Sequence, residues 1–368
     1  MKTLKLRIKD KHIKELNQLS GSVNFVWNYV NALSFEHLNR AGKFFSAYDL
    51  SEYTKGSGEY LRLHSQTLQA IKETHAKSRK QFKKAKLNWR NNRPDAKRKT
   101  LGWIPFKKSA IKYLSTRQTG KKVLKSTIQL SLSRGQKLVI DMFDSYNLSL
   151  YQINTLEIVQ DSRNRWYACI TVKDYPKQAS GMGRVGIDLG LKESATTSMG
   201  DKLTIKQTQK WANKLAVAQR AKNKKRVKAI HAKIKNTRLD LTHKFTTKLV
   251  KDNALIVVGD VKSRSFTNSM TNLAKSTYDA GWFELKRQLE YKCKYAGCQL
   301  EIVNESYTTQ TCSYCLEISD SSPKGRAGLR IRGWACAECG TWHDRDINAA
   351  KNILAVGLDR LDVGIPSV

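Results

Sequence analysis

The chain has 368 residues, enough for two or three domains that each bury a core, and its 40% hydrophobic and 27% charged content is that of a folded protein, not a disordered one. Sixty-seven Lys and Arg face 31 Asp and Glu, a formal net charge of +36. Such a charge repels itself unless an anion neutralises it, and nucleic acid does so through phosphate contacts and counterion release; a membrane-surface protein or a merely basic enzyme is the competing reading.

Met1–Asp10 alternates charged residues with Leu and Ile and reads as a strand, not a signal peptide. No apolar stretch reaches the roughly 18–20 residues of a membrane helix, so no membrane partner is expected and the cytoplasm is the expected compartment. Residues 12–85 carry helical periodicity, with Leu16, Leu19, Val23, Val26, Trp27 and Val30 on one face and Leu61, Leu68 and Ile71 continuing it. Lys77–Lys99 holds eleven basic residues against the single acid Asp95. A basic run is commonly a solvated helix face, but Trp89, Trp103 and Phe106 interleave with it, and aromatic faces can stack on bases while cations hold phosphates.

From Thr127 to Tyr175 the texture changes to short alternating runs: Ile128–Leu132, Lys137–Ile140, Leu156–Val159 and Trp166–Val172. This predicts a small antiparallel barrel that the first strand completes, with the helices of 12–115 inserted into it. A linker, Gln178–Gly183, leads to Arg184–Leu191, an apolar strand with one acid, Asp188, followed by glycine. Residues 202–239 contain no acid and place Trp211, Leu215, Ala218, Val227, Ile230 and Ile234 near i+3/i+4 spacing, which predicts amphipathic helices with a basic outer face. A strand at Ala254–Val258, a helix around Ala280–Tyr295 and a strand at Gln299–Val303 follow, as a mixed α/β sheet requires.

Cys312, Cys315, Cys336 and Cys339 form two CxxC pairs separated by twenty residues. Each pair brings two thiolates round a tight turn, and two turns close a tetrahedron around Zn²⁺; four thiolates leave no open position, so the expected role is structural. Cys169, Cys293 and Cys298 read as ordinary thiols. Immediately after the ribbon stands Trp342–Leu354, with Asp344 and Asp346 at a helix start and Asn348, Asn352 and an Ala pair that allow close helix packing. Alone, such an Asp is a helix cap. With Asp188 it suggests carboxylates from distant segments converging on Mg²⁺, two ions about 4 Å apart being able to activate water and stabilise a leaving oxygen. His231, His243 and His343 read as solvated side chains and are assigned no role; the Gly186 and Gly190 pair lacks the spacing of a nucleotide-binding loop.

Gly186–Gly190, Tyr307–Cys312 with its CxxC pairs, and Asp344–Ala350 together resemble the TnpB family of transposon-encoded proteins related to type V CRISPR effectors, and Asn24–Asn28 and Gly102–Phe106 resemble that family's N-terminal segments. The resemblance covers nearly the whole chain. It implies a multidomain α+β architecture: a wedge-like β-barrel (1–11 and 116–180), a helical recognition domain (12–115), a RuvC-like, RNase H-like nuclease domain (181–305 and 341–368) and an inserted zinc ribbon (306–340). It further implies an RNA-guided DNA endonuclease that takes a guide RNA from the transposon end, cleaves double-stranded target DNA, and works near the nucleoid of a bacterium or archaeon.

By the resemblance Asp188 is the first catalytic aspartate and Asp346 the last, while Asp344 orients or caps. The middle acid departs from the family pattern, because Gly259 stands where a Glu ends the second central strand. Three readings compete. Glu305, at the end of the adjacent strand, supplies the carboxylate, so that Asp188, Glu305 and Asp346 hold Mg²⁺; Asp260 substitutes, although strand alternation points it to the other face; or cleavage is lost and the protein is an RNA-guided DNA-binding repressor or targeting module. A DNA transposase proper is disfavoured, since no Tyr stands with a His-hydrophobe-His motif.

Overall fold

The computed structural model describes residues 2–93, 96, 99–119, 123–173, 179–261, 274–328 and 330–362. Asp95, Lys97 and Arg98 of the basic run, Gln178 of the linker, segments 120–122, 174–178 and 262–273, and residues 363–368 of the expected nuclease domain lie outside the described residues. The chain forms two compact units, residues 1–176 and 177–368.

The first unit is built on a seven-stranded antiparallel sheet in the order β2-β6-β7-β1-β5-β4-β3. Its strands are β1 (Lys2–Ile8), β2 (Trp103–Lys107), β3 (Ile111–Thr119), β4 (Val123–Ser131), β5 (Lys137–Asp144), β6 (Ile153–Gln160) and β7 (Trp166–Val172). The first strand of the chain sits in the middle, pairing with β7 and β5. The edge strands β2 and β3 are consecutive, joined by a 3-10 turn at Lys108–Ala110. A flat seven-stranded sheet would hold its edges about 29 Å apart, whereas the steps from Lys107 to Ile111 span at most about 14 Å. The sheet must therefore curl until its edges approach. Strict alternation feeds the interior: Leu138, Ile140 and Met142 from β5, and Trp166, Ala168, Ile170 and Val172 from β7, are buried.

Between β1 and β2 the chain forms α1 (Ile13–Ala41), the short turns α2 (Leu50–Tyr53) and α3 (Ser57–Leu61), and α4 (Ser65–Phe82). The buried face of α1 (Leu16, Leu19, Val23, Val26 and Val30) joins the same core as the sheet. Residues 103–115, expected within the helical insertion, lie instead in β2, the 3-10 turn and β3. Two of the aromatics expected on a nucleic-acid surface are also used otherwise. Phe106 is buried in the core, and Trp103 packs edge-on against Trp27 with the Arg90 guanidinium over both rings. Only Trp89 is exposed, with Lys86 above its ring. The Asn24–Asn28 segment ties the helix to the chain around Arg90. Asn24 accepts from Arg90 Nε at 2.9 Å, and Asn28 exchanges two hydrogen bonds with the Arg90 backbone.

The second unit holds a five-stranded sheet in the order β10-β9-β8-β11-β12, from β8 (Gly183–Asp188), β9 (Ala195–Thr197), β10 (Lys202–Leu203), β11 (Asn253–Gly259) and β12 (Gln299–Val303). β8, β11 and β12 are parallel, while β9 and β10 return antiparallel at one edge. Helices α5 (Gln207–Arg220) and α6 (Lys224–Asp252) follow β10; α7 (Ala274–Ala280) and α8 (Trp282–Ala296) precede β12. A single helical turn, α9 (Gly325–Gly328), and the hairpin β13 (Gly333–Ala335) and β14 (Trp342–Asp344) lie between the cysteine pairs and after them, and α10 (Arg345–Asp362) ends the described chain.

The two faces of this sheet are read from alternation. Ile256 and Val258 pack with Leu285 and Leu289 of α8, whereas Leu255 and Val257 pack with Ile353 of α10. On β8, Gly186 faces α10 so closely that a Cβ there would lie 2.0 Å from the Ala350 carbonyl. Ala349 and Ala350 are fully buried. With a side-chain period of two, Asp188 and Gly259 face α10 as well.

Candidate metal cluster and acidic cleft

The four cysteine thiols approach within 4.8 Å of one another, and two of the Sγ–Sγ distances are 3.7 Å, Cys312 to Cys339 and Cys315 to Cys336. A tetrahedron with Zn–S bonds of about 2.3 Å has S–S edges of about 3.8 Å. The cluster therefore fits a zinc ion. Hydrogen bonds with the Thr341 hydroxyl and N–H lower the Cys339 thiol, while the neighbouring thiols raise Cys315, so that without a cation the four do not ionise together. His343 is not solvated as expected: it is buried on β14, with Nε2 3.0 Å from Cys312 Sγ and its ring against Trp334. A ligand-supporting His of this kind leaves no spacing signal in a sequence.

Asp188 ends β8, Glu305 follows β12, and Asp346 lies in the first turn of α10; all three line one cleft of about 550 Å³. Burial, reinforced by the Asp346 and Glu305 carboxylates, pushes Asp188 up to about 8 against the pull of Arg345 and Arg332. Burial also raises Glu305, opposed by Lys286. Glu305 reaches the cleft across Gly259: a Cβ added at Gly259 would lie 2.7 Å from Glu305 Oε2 and 3.1 Å from Ile353 Cδ1. The glutamate fills the space that a side chain on residue 259 would enter. Asp260 turns to the other face, where it pairs with Lys286 of α8 at 2.9 Å, and it is not among the residues lining the cleft.

Asp344 does what a cap does. Its Oδ1 accepts from the N–H groups of Asp346 and Ile347 at 3.0 and 3.1 Å, and its Oδ2 pairs with Lys202 at 3.0 Å. Burial opposes ionisation there, but these donors outweigh it and hold the group below the usual carboxylate range.

Two cleft arginines pair with Asp346, and although Arg332 belongs to a basic stretch of the ribbon, no spacing in the sequence announces either pairing. Arg332 Nη1 lies 3.2 Å from Asp346 Oδ2, and Arg345 Nη2 lies 2.7 Å from Asp346 Oδ1. Arg345 also donates to the Gly328 carbonyl at 3.3 Å, which holds the segment between the cysteine pairs beside the cleft. Three carboxylates and two guanidiniums line one cavity, a lining whose chemistry can take up a hard cation or a phosphate, although both guanidiniums already pair with Asp346. His231 and His243 are exposed and stand apart from it. Among the described residues no helix is long and apolar enough to cross a membrane.

Residues 282–353 match the family model described as the Cas12f1-like TNB domain, and residues 167–270 the one described as "Probable transposase". A "Putative RNA-guided DNA endonuclease" of Streptomyces pristinaespiralis is 34% identical over 219 residues, 55% of this chain and 53% of that protein. The "Putative RNA-guided DNA endonuclease InsQ" of Escherichia coli is 31% identical over 229 residues, 54% and 56% of the two chains. A TnpB-like protein of Acanthamoeba polyphaga mimivirus is 27% identical over 55% of this chain and 43% of its own. The chain thus spans about half the length of the curated relatives it matches. Among solved structures, Cas12f1 in a complex with sgRNA and target DNA superposes with a TM-score of 0.57 over 94% of this chain and 83% of that one, at 14% identity, so the two share a fold. By its motifs, its family models and these relatives, the chain is related to the TnpB-like proteins and to Cas12f1.

Proposed function

We propose that the protein is an RNA-guided DNA endonuclease whose second unit is a RuvC-type nuclease domain with an inserted zinc ribbon. The curled sheet of the first unit serves as a wedge-type domain, and its helices as a recognition domain. The observation that carries the reading is the convergence of Asp188, Glu305 and Asp346 on one cleft. Mg²⁺ held by those carboxylates would supply Lewis-acid stabilisation and an activated water for phosphodiester hydrolysis. The chain's own residues do the rest. Asp188 must shed its proton to ligate, Glu305 supplies over Gly259 the carboxylate that β11 lacks, and Arg332 and Arg345 offer the cleft's positive charge to a phosphate. The names of the relatives and the +36 charge support RNA and DNA as partners; that the guide comes from RNA of the transposon end rests on the family resemblance alone.

The test is cleavage of a guide-matched DNA by the purified protein with Mg²⁺ or Mn²⁺. Asp188→Ala should abolish it, Glu305→Ala should reduce it at least about 100-fold if it removes a metal ligand, and Asp260→Ala should leave it near the parent. Full activity of Glu305→Ala would remove Glu305 as the middle acid. Gly259 favours a second reading, an RNA-guided DNA-binding protein without nuclease activity. Guide-dependent binding with no cleavage at any metal concentration supports that reading and sinks the first.

A further inference from the structure

Glu305 stands beyond the last residue of β12, so no ladder of the sheet orients its side chain. What holds its loop is a pair of amides on α10. Asn348 and Asn352, four residues apart, lie on one helix face and are both buried. Asn352 Nδ2 donates to the carbonyls of Thr308 and Thr311 at 2.8 and 2.7 Å. Asn348 Nδ2 donates to the Thr311 carbonyl at 2.7 Å, and its Oδ1 accepts from the Ser313 N–H at 2.9 Å. Thr308 then returns to the acid: its hydroxyl donates to the Glu305 carbonyl at 2.8 Å and its N–H at 3.3 Å.

The helix that carries Asp346 in its first turn thereby holds the Glu305 loop from within its first two turns or so. Ser313 sits inside the first CxxC pair, so the same clamp fastens that cysteine turn to the helix. We propose that Asn348 and Asn352 are positioning residues that set the Glu305 carboxylate against Asp188 and Asp346, so that the divalent-ion affinity of the cleft depends on this clamp. The proposal rests on the reading of Glu305 as an acid of the site. An acid borne by the end of β11 would be oriented by the sheet itself; one delivered from a loop needs an outside support, and supports of this kind typically govern metal affinity by roughly 10- to 100-fold.

The experiment is Mn²⁺ titration of the full chain without nucleic acid, following free Mn²⁺ by electron paramagnetic resonance, with zinc content measured in parallel. Asn352→Leu removes both of that residue's hydrogen bonds without adding charge, leaves Thr308 and Thr311 held by Asn348 alone, and should weaken Mn²⁺ binding on the order of 10-fold with zinc retained. Asn352→Gln, which keeps the amide, should recover part of that loss. Glu305→Gln should weaken binding comparably, and Asn352→Leu added to it should change nothing further, because its effect runs through Glu305. Additive losses in the double variant, or an Asn352→Leu protein that binds Mn²⁺ like the parent, overturn the clamp alone. A Glu305→Gln protein that binds like the parent sinks the Glu305 reading and the clamp with it. If Asn352→Leu does not fold, Thr308→Val, which keeps the shape and removes the hydroxyl from Glu305, carries the same double-variant comparison.

Discussion

At Asp188, burial and two neighbouring carboxylates act in the same direction, and the consequence reaches beyond catalysis. The unfolded chain ionises this group near 3.9, whereas the folded chain keeps its proton until about 8. Between those values the folded state binds a proton that the unfolded state has lost, so this residue makes stability fall as pH rises from about 4 to about 8, and adds no further slope above. Asp188→Asn should therefore unfold at a higher temperature than the parent at pH 8 without added divalent ions, with the gap shrinking toward pH 4. Mg²⁺ should stabilise the parent and leave the variant unmoved; equal thermal shifts in both would count against a metal site at Asp188. The four cysteines were legible because their spacing is itself the geometry, whereas Asp188 and Asp346, on segments far apart in the chain, were singled out by the family resemblance of the motifs that carry them. Strand alternation turned Asp260 away, and the place of Glu305 beside Gly259 was legible from its position at the end of the neighbouring strand. Arg332, Arg345 and His343 were not, since an ion pair or a hydrogen bond between distant segments leaves no local period.

At the scale of elements, the seven-stranded sheet shows in alternation and begins at residue 2 because Leu4, Leu6 and Ile8 face inward, whereas the central strand of the other sheet is buried on both faces and shows as a short apolar run. The end of the helical insertion was harder to read. Pro105 sits within β2 and reads as a loop residue, but β2 is an edge strand, where a missing N–H is tolerated. The four-cysteine segment is the element with the least apolar core of its own, and a zinc ion held by its thiols would be its staple. Its own core consists of the cysteines and Trp334, too little apolar surface to order some 35 residues without a metal. Elemental analysis should find one zinc per chain. Cys336→Ser should lose it and open the Arg- and Lys-bearing segment between the cysteine pairs to trypsin, while residues 2–93 resist as in the parent. Undiminished protection of the ribbon in the zinc-free variant would show that the metal is not its staple.

Over the whole molecule, 67 Lys and Arg outnumber 31 Asp and Glu by 36, so that many basic side chains cannot each have an acid of their own. The long helix α6 and its neighbour α5 illustrate the arrangement: Ala218, Ile230 and Ile234 form a small private core while the Lys and Arg face outward. A complex with about ten phosphate contacts should lose affinity with a slope of about −9 in log K against log salt concentration for duplex DNA and about −7 for single-stranded nucleic acid. A slope near zero, measured by filter binding of guide RNA between about 50 and 300 mM salt, would set aside an electrostatic origin for the affinity.

The near-contact between Glu305 and the empty side-chain position at Gly259 also constrains how this protein can change. Restoring a strand acid by Gly259→Glu alone would drive a second carboxylate into the place that Glu305 already occupies, so that single step should impair cleavage. Glu305→Gly alone removes the acid altogether. Made together, the two substitutions exchange the positions of acid and glycine and should return cleavage well above either single variant. The two sites would then be one carboxylate with two alternative addresses, separated by a valley that neither mutation crosses by itself.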